Sequence, residues 1–576
     1  MSKFQCCFIA ALLVVAEFCS PVVANEVLQR IPANALGFFV VRNVADCSEK
    51  CEQLAKPFNM TFPAPLPFAK LVTGLGAGLD VSGDLVIAHL PGATPNASSI
   101  PLVLLPVENY IDFAASIHAD PSGDICRITL LGEDILAGQH GAHAMLMNVE
   151  DEPTMERVLA LGPRSVAALS PLNAWIEQQD AALILMAPGV EQLSQWRPAS
   201  ARQSRLAYDF TLQPSFATQL FASISGPVAR GWLRRHVELA AIGISVDDKN
   251  TVQVGEQLLL KENSPLAKLA PQSVQQPAAM LGLSDKSCVV AAGGPLAPGW
   301  GKQLARYLRQ LEEAQAAQTG LEKVSSEQWD DEEQAFRLLL ENVRSCSAVM
   351  LPGDKGEPLM GNFFGVATVD DVDQYLASLT EVVKTWNDLN KLSTDEPQPE
   401  IELVDRKIAG HQAYEIVLDI GTAMADPNVP LIQWMLEVTV GGDGKLRTKL
   451  LQVDQETFVF GIATDEQLQV LLQRLEQNQA TAPPLAEVQT TLQLMEPAAP
   501  WKMLIQPQGG LKWIKRVVNE YLVLLEHGGM SLPPMPNSPP LGLTINWSGR
   551  RLACDLVCPA DTWQTLAKYY DTANPQ

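Results

Sequence analysis

Residues 361–383, GNFFGVATVDDVDQYLASLTEVV, place a short apolar run directly before an acidic stretch and a helical pattern. Phe363, Phe364 and Val366 are aromatic or β-branched, and such residues fit the pleated, half-buried surface of a strand. From Val372 onward, apolar residues recur at spacings of three and four, which predicts a helix with one apolar stripe. The strand and the stripe must cover each other, so the stretch predicts one strand–helix unit of a layered fold.

The start of this helix is marked by Thr368 and by Asp371 three residues later. A Thr oxygen can accept a hydrogen bond from one of the N–H groups that the first helical turn leaves unpaired. Acidic side chains in the first turn also suit the positive end of the helix dipole. We therefore expect Thr368 to be the N-cap of the helix.

The same strand–helix pattern recurs at four other places, residues 101–117, 144–161, 457–475 and 541–570. One pair of segments is especially similar: VENYIDFAASI at 107–117 and VDDVDQYLASL at 369–379. In another copy, Thr464 and Gln467 have the spacing of a capping box. The recurrence predicts a chain built from repeated strand–helix units.

Two further similarities indicate that the repetition extends to whole lobes. The opening PANALGFFVVRN (32–43) resembles PAAMLGLSDKS (277–287), and LAGQHGAHAMLM (136–147) resembles IAGHQAYEIVL (408–418). A linker rich in Pro, Gln and Ser lies at 263–276. We expect an α+β fold of two tandem related lobes, each a mostly antiparallel sheet covered by helices, at residues 25–265 and 266–480. Residues 481–576 form a C-terminal segment that either stands alone or completes the second lobe.

Residues 1–24 have the pattern of a cleaved signal peptide. Lys3 provides the positive end, residues 4–15 provide an apolar core, and Val22 and Ala24 fit a small-residue cleavage site. The alternative is a single membrane anchor, but the apolar core is shorter than the roughly 20 residues that a span needs. No later segment is apolar and long enough to span, so we expect no transmembrane helix after signal cleavage. The mature chain is expected to be extracytoplasmic, either periplasmic or secreted.

Composition excludes some classes of function. The net charge is −24, and so acidic a chain repels nucleic-acid phosphates, so no nucleic-acid partner is expected. With 47% hydrophobic and 18% charged residues, the chain has the composition of a folded globular protein.

Seven cysteines lie outside the signal: Cys47, Cys51, Cys126, Cys288, Cys346, Cys554 and Cys558. An odd number leaves at least one thiol without an intramolecular partner. Cys47 and Cys51 share one face of a predicted helix, a spacing that is poor for a disulfide. We expect the cysteines to be small buried apolar residues or to form a single structural bridge.

The strongest metal candidate is the pair His140 and His143, two imidazoles three residues apart. Zinc is often bound by His pairs, but Gly141 between them favours a turn that enters a strand over a helix. The candidate is weak, and no metal or other cofactor is expected. Catalytic residues are unknown, because HExxH, GxSxG, CxxC and phosphate-loop motifs are absent.

Two other segments have a structural explanation that is simpler than a functional one. GLGAG at 74–78 resembles a phosphate-binding loop, but it follows a helical stripe, where glycines that end the helix are expected. WDDEE at 329–333 is a run of charges, which predicts a solvated helix face.

The chain as a whole resembles uncharacterised secreted bacterial proteins of the planctomycete type. The resemblance rests on PANALGFFVVRN, on GLDVSGDLVIAHLP (78–91) and on PLVLLPVENYIDF (101–113). It implies an exported protein of this architecture and implies no activity.

Three classes of function remain open. The first expectation is a non-catalytic protein that binds a protein partner or forms part of an envelope assembly. The alternative is a carrier that holds a lipid or another apolar ligand between sheet and helices. The second alternative is an exported hydrolase with an unrecognised site.

Overall fold

The computed structural model describes residues 27–58, 66, 70, 77–92, 94, 99–130, 133–161, 169–192, 227–269, 288–319, 324–354, 357–392, 400–421, 438–441, 443–476, 486–524 and 532–573. The chain divides into two compact units. The first unit comprises Met1–Ala267 with Arg550–Asp555, and the second comprises Lys268–Gly549 with Leu556–Gln576.

The first unit alternates short strands with helices. Its elements are β1 (Gly37–Val41), α1 (Val44–Ala55), β2 (Leu85–Leu90), β3 (Ile100–Pro106), α2 (Tyr110–Ser116), β4 (Ile125–Leu130), β5 (Glu133–His140), β6 (His143–Asn148), α3 (Glu152–Ala160), α4 (Asn173–Ile176), β7 (Ala181–Leu185), α5 (Ala187–Gln192), α6 (Pro227–His236), β8 (Val237–Val246) and β9 (Val252–Leu260).

The second unit follows the same alternation with longer helices. Its elements are β10 (Val290–Pro295), α7 (Trp300–Thr319), α8 (Ser326–Glu341), β11 (Val343–Met350), β12 (Phe363–Val369), α9 (Val372–Asn390), β13 (Ile401–Ile408), β14 (His411–Asp419), β15 (Lys445–Gln452), β16 (Thr457–Ile462), α10 (Asp465–Glu476), α11 (Ala486–Leu494), β17 (Trp501–Ile505), α12 (Pro507–Leu524), β18 (Leu541–Ser548), β19 (Arg551–Cys558) and α13 (Ala560–Ala573). Residues 551–555 of β19 belong to the first unit.

The strands pair antiparallel, and helices pack on the sheets, so the predicted α+β class is confirmed. In the first unit the strand order is β4-β5-β6-β3-β2-β1-β7-β8-β9. In the second unit it is β13-β14-β15-β16-β12-β11-β10-β17-β18. β13 is an additional strand at the edge of the second unit. The other strands have counterparts in the same order: β14-β15-β16-β12-β11-β10-β17-β18 corresponds to β4-β5-β6-β3-β2-β1-β7-β8.

Backbone hydrogen bonds identify residues that occupy equivalent positions in the two units. The N–H of Leu36, just before β1, donates to β2, and its carbonyl accepts from the residue after β7, at 2.7 and 2.9 Å. Val289, just before β10, makes the same two bonds with β11 and with the residue after β17, at 2.7 and 3.1 Å. Val289 is therefore the positional counterpart of Leu36.

The corner between strand and helix is also built alike in both units. Val107 after β3 and Val369 at the end of β12 donate their N–H groups to the residues before β6 and β16, at 3.0 and 2.8 Å. Two residues later, Asn109 and Asp371 cap α2 and α9. The similar segments VENYIDFAASI and VDDVDQYLASL thus occupy the same position of each sheet.

One predicted cap is wrong and another is confirmed. The cap of α9 is Asp371, whose carboxylate accepts from the N–H of Gln374 at 2.8 Å. Thr368 lies within β12, with its hydroxyl 2.6 Å from that of Ser345, because the strand continues beyond the point where the helix was expected. At the start of α10, Thr464 and Gln467 exchange both bonds of the predicted capping box, at 2.9 and 3.2 Å.

The proposed match of 136–147 with 408–418 is wrong. The first segment forms the β5–β6 hairpin, in which β6 pairs with β3. The second forms the β13–β14 turn, and the strand beside β12 is β16. Apolar hairpins with a glycine at the turn resemble one another wherever they occur. The opening at 277–287 and linker residues 270–276 lie outside the described residues.

Apolar cores lie on both faces of each sheet. In the first unit, α3 packs on one face and α2 on the other. In the second unit, α10 packs on one face, and α8 and α9 pack on the opposite face. Among the described residues, no helix is both long and apolar enough to cross a membrane.

Candidate functional site

His140 and His143 face each other across the turn between β5 and β6. Both are buried, and Gly141 between them has the left-handed φ of +66°. A Cβ at Gly141 would lie 2.4 Å from the Arg30 guanidinium, so that charge sits against the pair. Burial, then the charge of Arg30, lowers the pKa of His140 to about 4. No third His, Cys, Asp or Glu of the described chain completes a metal-binding group around them.

The other residues that were candidates for a functional site have contacts that indicate a structural role. Cys47 and Cys51 share the buried face of α1, and burial raises the pKa of both thiols. All seven cysteines outside the expected signal are free thiols. Most of GLGAG lies outside the described residues. Its last residue, Gly78, accepts the N–H of Glu108 at 2.9 Å, next to the start of α2.

A buried ionic cluster lies at the end of β1. Arg42 pairs with Asp84 at 3.3 Å, and Lys50 pairs with Asp46 at 3.3 Å and approaches Asp180 at 4.0 Å. Burial, followed by the charge of Glu49, raises the pKa of Asp46 to about 6, and burial lowers that of Lys50 to about 8. The opposite charges compensate one another within the cluster, which indicates a structural role at this end of the sheet.

The helix pair α7–α8 contains a second buried polar group. Glu332 is 3% exposed, and its carboxyl group lies close to that of Glu312. Burial first, then the charge of Glu312, raises the pKa of Glu332 to about 8, while Arg309 opposes the shift. The prediction that 329–333 is a solvated face is therefore wrong at Glu332, which packs between the helices.

Strands in the same position of the two sheets differ in the fraction of their residues that is buried. On β2, four of six residues are buried, whereas on β11 only one of eight is. On β7 four of five are buried, and on β17 one of five. β11 and β17 each hydrogen bond to a neighbouring strand on both sides, so their exposure does not come from a free edge. Their partial exposure therefore means that a face of the second sheet is open.

Strand pairing identifies the side chains of this open face. One row runs across six strands as Ile462, Phe363, Met350, Val290, Ile505 and Leu541. The next row runs as Phe460, Gly365, Ala348, Ala292, Met503 and Leu543. Every one of these residues except Gly365 is partly exposed, and none carries an ionisable side chain.

The matching row of the first unit is filled with large side chains: Leu146, Val103, Ile87, Phe39, Leu183 and Ile242. The register that pairs Leu36 with Val289 places Ala292 where the first unit has Phe39. It places Ala348 where the first unit has Ile87, which is 5% exposed. Two large side chains are thus reduced to methyl groups at the centre of the second sheet.

We call the surface formed by these residues together with Cys346 and Trp501 the groove. The small residues Ala292, Ala348 and Cys346 are its floor, and the large residues Phe460, Trp501 and Met503 are its walls. An alanine side chain ends at Cβ, so the partial exposure of Ala292 and Ala348 means that solvent reaches the sheet itself. The Phe460 ring covers Gly365: a Cβ there would lie 2.7 Å from its Cζ. The Trp501 ring covers Gly294 in the same way, and its N–H is anchored to the carbonyl of Pro295 at 2.7 Å.

One end of the groove carries its few polar atoms. Cys346 is partly exposed, and burial raises the pKa of its thiol. Tyr375 of α9 packs against Phe458, with ring centroids 4.9 Å apart and ring planes tilted by 33°. Burial, then Cys346, raises the pKa of Tyr375 to about 12, so the phenol is neutral at physiological pH. The groove can therefore hold an apolar body and offers a neutral thiol and phenol at one end.

The sequence does not reveal the groove, because its floor comes from β10 and β11 and one wall comes from β17. A signal was present in β10, VAAGGP, whose small residues contrast with GFFVV in β1. Comparison of the chain with protein-family models, with curated proteins and with solved structures found no match.

Proposed function

We propose that this chain is a non-catalytic, extracytoplasmic binding protein whose second unit carries an apolar ligand in the groove. The observation that carries the proposal is the contrast between the two central rows. The first unit fills its row with Phe39 and Ile87, and the second has Ala292 and Ala348 there. A recess lined by apolar groups with a few polar atoms is the usual form of a ligand site.

The proposal includes a duplication of one ancestral lobe. Its support is the shared strand order and the equivalent backbone bonds. The helices that follow β7 and β17 supply a further parallel: a Cβ at Gly189 would lie 1.9 Å from the carbonyl oxygen of Leu36, and one at Gly509 would lie 2.0 Å from that of Cys288. In each unit a helix crosses so close to the entry of the central strand that only glycine fits.

The location of the protein is likewise a proposal, supported by the signal-peptide pattern of residues 1–24. The resemblance to secreted planctomycete-type proteins agrees with it. An apolar cargo has low solubility in water, so a protein that shields it suits an aqueous extracytoplasmic space.

A protein partner is a second candidate, favoured by the outer surface of the second unit. Of the eight large apolar side chains exposed in the described part of the chain, six belong to this unit. Met360 and Ile514 are 45% and 50% exposed. Nearby, Trp513 and Arg516 hold the β11–β12 loop through the carbonyls of Leu359 and Pro352, and Trp and Arg are frequent anchors of interfaces.

An environment-sensitive apolar dye, anilinonaphthalene sulfonate, tests the carrier proposal. We expect saturable binding to the mature chain, and loss of it in the variant Ala292→Phe/Ala348→Ile, which introduces the residues of the first unit. The matched control is Val404→Phe on edge strand β13, which adds a large side chain outside the groove. Unchanged dye binding by the double variant would overturn the proposal.

Native mass spectrometry separates the carrier from the protein-partner candidate. Protein isolated gently from its own host should carry a small additional mass that denaturation releases, and this mass should be missing from the double variant. A stoichiometric complex with another protein, lost in Ile514→Asp and kept in the double variant, would favour the partner instead.

A further inference from the structure

We infer that the groove takes a single unbranched hydrocarbon chain, such as the acyl chain of a fatty acid. The inference rests on the proposed carrier function and names the class of ligand. Three properties of the groove lead to it: the width of its floor, the state of its backbone groups, and its lack of charge.

The floor is narrow. Ala292 and Ala348 are direct neighbours on β10 and β11, and adjacent strands lie about 4.8 Å apart. Phe460 covers the column of β12 at Gly365, and Trp501 covers β10 at Gly294. An extended hydrocarbon chain can lie along this floor.

The backbone of the floor is already paired. β10 bonds to β11 on one side and to β17 on the other, and β11 bonds to β12. A peptide strand laid on this face would bury its own N–H and C=O groups against side chains that cannot pair with them. Each unpaired group costs free energy comparable to a lost hydrogen bond. A hydrocarbon chain has no such groups, and this favours an acyl chain over a peptide.

Charge and length agree with this ligand. The two rows of the open face include no ionisable side chain, and the Cys346 thiol of the floor stays neutral because burial raises its pKa. No charged side chain of the groove would therefore lose its hydration when an uncharged chain covers it. From Met350 to Cys346 the open face follows four residue-to-residue steps of β11, roughly 14 Å of strand. The polar atoms of Cys346 and Tyr375 lie at the far end. Affinity should rise about fourfold with each added CH2 until the floor is covered.

Competition between saturated fatty acids and the dye tests this inference. Octanoate, dodecanoate and hexadecanoate should displace the dye from the wild-type chain with affinity that increases with chain length. Ala348→Ile should lose this displacement, whereas Val404→Phe should keep it. Displacement that is independent of chain length would overturn the inference, because it would mean that the hydrocarbon is not what is bound.

Cys346 provides a readout within the floor itself. Alkylation with N-ethylmaleimide, followed by peptide mass spectrometry, should be slower at Cys346 when dodecanoate is bound. Cys554, which is also partly exposed but belongs to the first unit, serves as the internal control and should react at an unchanged rate. Equal rates at Cys346 with and without dodecanoate would overturn the inference.

The two proposals fail in different ways. If the dye depends on the groove, but fatty acids neither displace it nor protect Cys346, the groove binds another class of ligand, and only the acyl-chain inference is lost. If the dye is indifferent to Ala292→Phe/Ala348→Ile, the carrier proposal and the acyl-chain inference are both lost.

Discussion

Substituting Ala348→Ile should stabilise the second unit or leave it unchanged, which is unusual for a larger side chain on a central strand. Ile adds three carbons, and burial of each contributes about 0.8 kcal/mol, or about 2.4 kcal/mol at full burial. Because the floor is partly open, we expect about 1 kcal/mol of stabilisation. In a closely packed face, the same substitution would cost about 1–3 kcal/mol. The sign of the effect therefore reports whether the groove is open.

The reverse substitution in the first unit, Ile87→Ala, should create a cavity at the equivalent position. Ile87 is 5% exposed between Phe39 and Val103, so its truncation should cost about 2–5 kcal/mol. The two units need not unfold together, so we would measure hydrogen exchange by mass spectrometry on peptides that contain β2 and β11. Faster exchange of β11 in Ala348→Ile, equivalent to a loss of about 1 kcal/mol or more, would refute the open groove.

Four other substitutions test the fold. Asp371→Ala should destabilise α9 by about 1 kcal/mol, and Thr368→Ala should leave the helix start unaffected, as measured by exchange of the Gln374 amide. Glu332 has a raised pKa in the folded state, so the folded chain binds more protons than the unfolded chain between pH 4.5 and about 8. Stability should fall as pH rises through that window, and Glu332→Gln should flatten the fall in urea unfolding curves. Gly189→Ala should cost about 3 kcal/mol in the same assay, since its Cβ would overlap the Leu36 carbonyl; a neutral result would disprove the close crossing.

Local chemistry predicted several features of the fold well. The capping box at Thr464 and the similarity of 107–117 to 369–379 depend on residues close in sequence, and the structure has both. The error at Thr368 has a local cause too, because Thr368 and Asp371 both fit the cap and only the length of β12 decides between them.

Features that depend on distant pairing could not be predicted. Burial of Glu332 arises from the packing of α8 on α7, whereas its sequence neighbours are all charged or aromatic. The groove depends on the register of β10 with β17, two strands separated by about two hundred residues. A pattern of small residues in β10 says nothing about which large residues will stand beside it.

The pairing of β10 with β17 has a consequence for the order in which the second unit can form. During synthesis, β10 can pair with β11 early. Its other edge stays unpaired until β17 has been synthesised, some 150 residues later, which takes roughly 8 to 30 s at 5–20 residues per second. An unpaired strand edge is a template for association with other chains. With two glycines and a proline in six residues, β10 is a poor template, so the strand that supplies Ala292 to the groove also protects the nascent chain from misassembly.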